Sequence, residues 1–141
     1  MRKSLWLIAF LSIATMFGVT VSKADPVAAP WQEVITAQVE AFRADDGAAA
    51  LGFAAAAFEA NFADPAQFLA AIRNSGYGAI MDSRSHSFGE FQMINADVVL
   101  QAVTFTGQDQ VLYRATYQME HEPGGWRVGA VDLQKTEAIG V

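Results

Sequence analysis

His86 and His121 are the two side chains in the chain whose ordinary pKa lies near neutrality, and so the first to consider for proton transfer. His86 stands in Ser85-His86-Ser87, where the helical half of the chain feeds its first strand. As a general base it needs a carboxylate such as Asp97 or Asp132 to fix its tautomer. His121 lies between Glu120 and Glu122, ahead of Pro123-Gly124-Gly125. In an extended strand those carboxylates point away from the imidazole, so the three cannot gather round one ion without distortion, and no metal site is expected. Asp132 is the second catalytic candidate. Strict alternation puts it on the side of Trp126, Val128 and Ala130, where a buried acid would be a proton acceptor. Asp45-Asp46 offers a carboxylate pair of the kind that splits its pKa values for acid–base work. The same residues suit a helix N-cap, which is the simpler reading.

Tyr77, Tyr113, Tyr117 and Trp126 are the ligand-binding candidates, because each joins an apolar body to one hydrogen-bonding tip, the usual makeup of a small-molecule pocket. For Tyr113 and Tyr117, alternating on one face of a strand, plain core packing is the simpler reading. No Gly-x-Ser-x-Gly elbow, phosphate-binding glycine loop or dinucleotide fingerprint occurs, so hydrolase, kinase and dehydrogenase readings lack support and no cofactor is expected. The chain has no cysteine. That excludes disulfide stapling, thiol catalysis and Cys-ligated zinc or iron–sulfur chemistry, and leaves stability to packing.

The elements that must position these residues fall into two halves. Pro30 suits the first position of a helix, and Trp31, Val34, Ile35, Gln38, Val39 and Phe42 then recur at helical spacing. A carboxylate at Asp45 or Asp46 can cap a short second helix through Ala48–Leu51, and Phe58 and Phe62 share one face of a further turn. Asp64-Pro65-Ala66-Gln67 predicts another helix, with Asp64 as N-cap, Gln67 reaching back to it, Phe68, Leu69 and Ile72 buried, and a stop near Asn74-Ser75-Gly76. From Phe88 the period changes to two, which predicts strands at Phe88–Ile94, Asp97–Phe105, Val111–Glu120 and Trp126–Gln134. Short turns between them imply antiparallel hairpins. The pattern is α+β: N-terminal helices packed on a curved four-stranded antiparallel sheet. Val111, Tyr113, Ala115, Tyr117 and Met119 should meet the helices. Val99, Val103 and Phe105 oppose Val98, Leu100 and Ala102, and Val131 and Leu133 oppose Trp126 and Val128. Such a sheet is apolar on both faces, which suggests a homodimer through the outer face.

The address is written at the start. Met1-Arg2-Lys3, the apolar stretch Leu5–Val21 and Ser22-Lys23-Ala24 form the three parts of a secretory signal, with cleavage expected between Ala24 and Asp25. The stretch is interrupted by Ser12, Thr15, Gly18 and Thr20 and falls short of the ~20 apolar residues of a spanning helix. Residues 1–24 are thus read as a signal peptide and 25–141 as one domain, in the periplasm or secreted, with no membrane attachment after cleavage. Cleavage removes Arg2, Lys3 and Lys23 and no acidic residue, leaving six basic against 15 acidic residues, a net charge of −9. Nucleic acid and anionic lipid, which need clustered Lys and Arg, are not expected partners.

The run Gln38-Val39-Glu40-Ala41-Phe42-Arg43-Ala44-Asp45-Asp46, then Ala57-Phe58, Phe62, Pro65 and Phe68, then Gly76-Tyr77, resembles the bacterial domain of unknown function 4864 family. Tyr117-Gln118-Met119-Glu120 and Gly125-Trp126-Arg127-Val128-Gly129 extend the resemblance to the end of the chain. It implies an exported or periplasmic setting and a layout similar to the cystatin-like NTF2 superfamily, where helices back a curved sheet around a conical pocket. It supplies no catalytic residue. Three classes of function fit: first a non-catalytic accessory module binding a small apolar ligand or a protein partner, then a lyase- or isomerase-type enzyme using Asp132 or His86, and last a structural homodimer module.

Overall fold

The computed structural model describes residues 27–136. The signal-like segment 1–24 and its cleavage site lie outside the described residues, among which no helix is long and apolar enough to cross a membrane.

Pro30 opens α1 (Pro30–Arg43), and the Ala29 N–H just ahead of it donates to Gln32 Oε1 at 3.0 Å. Trp31, Ile35, Gln38, Val39 and Phe42 form the buried stripe of α1, the side the spacing selects. Asp46 caps α2 (Gly47–Gly52) by accepting the Ala49 N–H at 3.1 Å, which is the cap role the sequence favours for the Asp45-Asp46 pair. α3 (Ala56–Asn61) follows. Asp64 then caps α4 (Pro65–Ile72) through the Ala66 N–H at 2.9 Å, and the expected return bond from Gln67 is absent. The chain does not stop at Asn74-Ser75-Gly76. It winds through a wide π-type turn, Arg73–Tyr77, in which Gly76 takes a φ of 98°, and enters α5 (Gly78–Met81). A left-handed residue inside a helical run is cheap only for glycine, which is why a stop signal became a kink.

Four strands follow: β1 (Ser85–Asn95), β2 (Val98–Thr106), β3 (Leu112–Glu122) and β4 (Gly125–Lys135). They pair in chain order, each antiparallel to the next. Val99, Val103 and Phe105 of β2 and Ala115, Tyr117 and Met119 of β3 are buried against the helices. The domain is α+β, with helices on one face of a four-stranded antiparallel sheet, as the change of period predicts.

The fourth strand departs from strict alternation. Gln118 faces Ala130 while Met119 faces Val128, so Gly129 is an extra residue, a β-bulge. Beyond it every side chain changes face. Val131 lies opposite Tyr117 and Leu133 opposite Ala115, on the helix side with Val128, whereas Asp132 pairs with Thr116 and is exposed. This corrects two expectations at once: Asp132 does not face the core, and Val131 and Leu133 do not make the outer face apolar. A second bulge, at Gly89 and Glu90 between Phe88 and Phe91, keeps His86, Phe88 and Phe91 opposite Phe105, Val103 and Gln101.

Gln101 secures that second bulge from within the core. Completely buried, it accepts the Trp31 indole N–H at 2.8 Å and the Gln32 amide at 3.1 Å, and donates to the carbonyls of Gly89 at 2.9 Å and Ala102 at 2.9 Å. The bulge frees carbonyls that the ladder would otherwise pair, and a buried glutamine with every site used is the repair.

Candidate functional site

Where α1, α3 and α4 cross the β4 side of the sheet they leave a cavity of about 320 Å³. Phe42 of α1, Phe58 of α3, Phe62, and Phe68 and Ile72 of α4 form its helical wall, and Tyr117, Val128 and Val131 its floor. Phe68 is the hub of the wall. Its ring stacks on Phe42 at 6.1 Å and meets Phe58 at 6.4 Å and Phe62 at 5.4 Å edge-on, geometries that lock aromatic side chains in place. The segment between α2 and α3 holds the far side, because Val128 N–H donates to Phe53 O and Ala55 N–H to Val128 O, both at 2.9 Å. Ser75 and Ala130, both exposed, mark the mouth.

The bulge at Gly129 shapes the floor, since only after the change of face does Val131 point into the cavity. Tyr77 closes one end, its hydroxyl donating to Val131 O at 2.8 Å and tying the π-type turn to β4. No Asp, Glu, Lys, Arg or His lines the space. Four polar side chains do: Ser75, Tyr77, Gln38 and Tyr117. Gln38 donates through Nε2 to Ala50 O at 3.0 Å, and burial pushes the Tyr117 phenol far above its usual pKa, so it stays protonated.

Of the aromatic candidates, Tyr77 and Tyr117 line this cavity and the other two do not. Tyr113 packs half-buried against the core, and Trp126 sits at the opposite end of β4, 5.4 Å from Trp31 and 4.8 Å from His121 between ring centres. The helical wall and Gln38 were missed as a site. The one signal for Gln38 was a polar residue inside the apolar stripe of α1.

The proposed catalytic residues do not converge. His86 and Asp132 occupy the two edge strands and opposite faces of the sheet, and neither lines the cavity. His86 is bound into the structure instead. Arg43 Nη2 lies 3.3 Å from Nδ1, Thr36 Oγ1 lies 3.1 Å from Nε2, and Phe88 and Phe105 flank the ring. Guanidinium can only donate, so Nδ1 is the acceptor and Nε2 carries the proton toward Thr36. Burial, and then the Arg43 charge, lower the His86 pKa from its usual value, with Glu40 opposing. Asp97 lies 3.6 Å from His121, not near His86. No cluster of three His, Cys, Asp or Glu side chains able to hold a metal occurs among the described residues. Glu122 turns away from His121 to accept the Ala56 N–H at the start of α3, at 3.1 Å.

A family model described as "Domain of unknown function (DUF4864)" matches residues 24–141, and the chain belongs to that family. No curated protein matches the sequence.

Proposed function

We propose that this member of the family is an exported, non-catalytic domain that holds a small apolar molecule between its helices and the inner face of its sheet. The cavity carries the reading. Protein interiors are close-packed with few voids larger than a water molecule, whereas ligand sites begin at roughly 300 Å³ and are mainly apolar with a few placed polar groups. A space of about 320 Å³ walled by four phenylalanines and reached by two tyrosines and a glutamine fits the second description. With no carboxylate or imidazole among its lining residues, it is furnished to hold a molecule. The lyase- or isomerase-type alternative finds no acid or base there.

Export is supported by the basic start, apolar stretch and small-residue end of residues 1–24. Binding to a protein partner is the second reading, favoured by Phe91, Met93 and Ile94, each about half exposed on the edge strand β1. A homodimer through the outer face has less apolar surface behind it once Val131 and Leu133 are placed on the helix side, packed against the core. Leu100 and Ala102 stand there among Arg114, Thr116, Gln118 and Glu120.

Native mass spectrometry of the protein released from its own cells tests the proposal. The expected species has the polypeptide mass of residues 25–141 plus a small molecule that is lost on denaturation. A chain of that mass with nothing bound contradicts a resident ligand, and a chain retaining residues 1–24 contradicts cleavage.

A further inference from the structure

We infer that the cavity selects an uncharged molecule bearing a hydroxyl or similar donor–acceptor group, which is read by Gln38 Oε1 and the Tyr117 hydroxyl. The inference rests on the reading of the cavity as a ligand site.

Gln38 is 3% exposed and Tyr117 1%, and both line the cavity. Ala50 O can only accept, so the Gln38 nitrogen must face it, and the amide oxygen is the atom left over. Neither that oxygen nor the Tyr117 hydroxyl hydrogen-bonds to another described residue. The space the two residues share is the cavity. Native structures pair nearly all their buried polar groups. Two such atoms without a partner among the described residues, on side chains that line one apolar cavity, mark the places where a bound molecule completes them.

The chemistry of the two atoms sets the ligand class. Gln38 Oε1 is an acceptor and asks for a donor, while a neutral phenol offers a proton to an acceptor. One hydroxyl, or one amide, answers both. A carboxylate would find no Lys, Arg or His to neutralise it, and an ammonium no Asp or Glu, in a lining that has no ionised group.

Binding of naphthalene, 2-naphthol and 2-naphthoate to the purified protein, freed of any resident molecule, is the test, repeated on Tyr117→Phe. The expected order has 2-naphthol about tenfold tighter than naphthalene, the effect of one well-made hydrogen bond, and 2-naphthoate without measurable affinity. Tyr117→Phe is expected to abolish the naphthol advantage, leave naphthalene affinity within about twofold, and keep or raise the thermal midpoint, because the hydroxyl it removes bonds no other described residue. Equal binding of naphthol and naphthalene by the unaltered protein overturns this inference and leaves the cavity a ligand site. Tightest binding of the naphthoate overturns the uncharged class, and a Tyr117→Phe loss shared equally by naphthol and naphthalene overturns the polar role of the phenol. If none of the three binds, the cavity reading falls, and this inference with it.

Discussion

His86 shows how much of a residue's role is set by neighbours far away in sequence. Arg43 on α1 and Thr36 one helical face along fix its neutral tautomer, and Arg43 also donates to Ser83 Oγ at 2.9 Å, so the imidazole joins β1 to the helical layer. The sequence marks His86 as titratable; it does not show that a guanidinium seven residues past Thr36 points at its Nδ1. The consequence is a pH dependence. The folded chain resists protonating His86, so the unfolded chain binds that proton more readily as pH falls below about 6.5, and stability present above that pH is lost toward the lowered folded pKa. The urea midpoint of the unaltered protein should therefore drop more between pH 7.5 and 5.5 than that of His86→Gln. Equal drops would mean that His86 is no more reluctant to ionise when folded. Gln38 is the opposite case, a residue legible as part of a helical stripe whose spare oxygen only the cavity reveals.

At the scale of elements, period and turn chemistry carry far. The order of helices then strands, the caps at Asp46 and Asp64 and all three hairpins follow from local sequence. What local sequence does not carry is a change of phase within an element. The bulges at Gly129 and at Gly89–Glu90 each shift a strand by one residue, and a one-residue shift moves every later side chain to the other face. That is why Asp132 read as inward and is outward. The π-type turn at Arg73–Tyr77 is the helical equivalent, and it carries Tyr77 to the cavity end. Close helix approach is equally invisible. Gly47 opens α2 so near α4 that an added Cβ would stand 2.7 Å from Pro65 O and 3.1 Å from Leu69 Cγ. A backbone oxygen cannot swing aside as a side chain can. Gly47→Ala, which in an open helix would stabilise, is expected to cost about 1–3 kcal/mol in a urea titration, through forced separation of α2 from α4. A variant as stable as the parent would show that the two helices slide apart freely.

For the whole molecule, the buried core runs along the sheet from Trp31 to Phe105, while the β4 side of the same layer is left hollow between the phenylalanine wall and Tyr117. The resemblance to a helix-backed curved sheet carried the expectation of such a space, and the layout is loosely consistent with it; Tyr77 and Tyr117 were legible as lining candidates, whereas the helical wall was not, because it comes from helices whose angles no local pattern sets. The central claim is that this space is a binding site. Ala71 lines it from α4 and is half-buried, so a larger side chain there has the cavity to enter. The direct measurement is a fluorescence titration with N-phenyl-1-naphthylamine, an uncharged apolar dye, on the unaltered protein and on Ala71→Phe, with the thermal midpoint of each recorded. Saturable binding by the unaltered protein, weakened at least about tenfold in a variant of undiminished thermal stability, is the expected result. Equal binding by both proteins, or none by the unaltered one, would contradict the account.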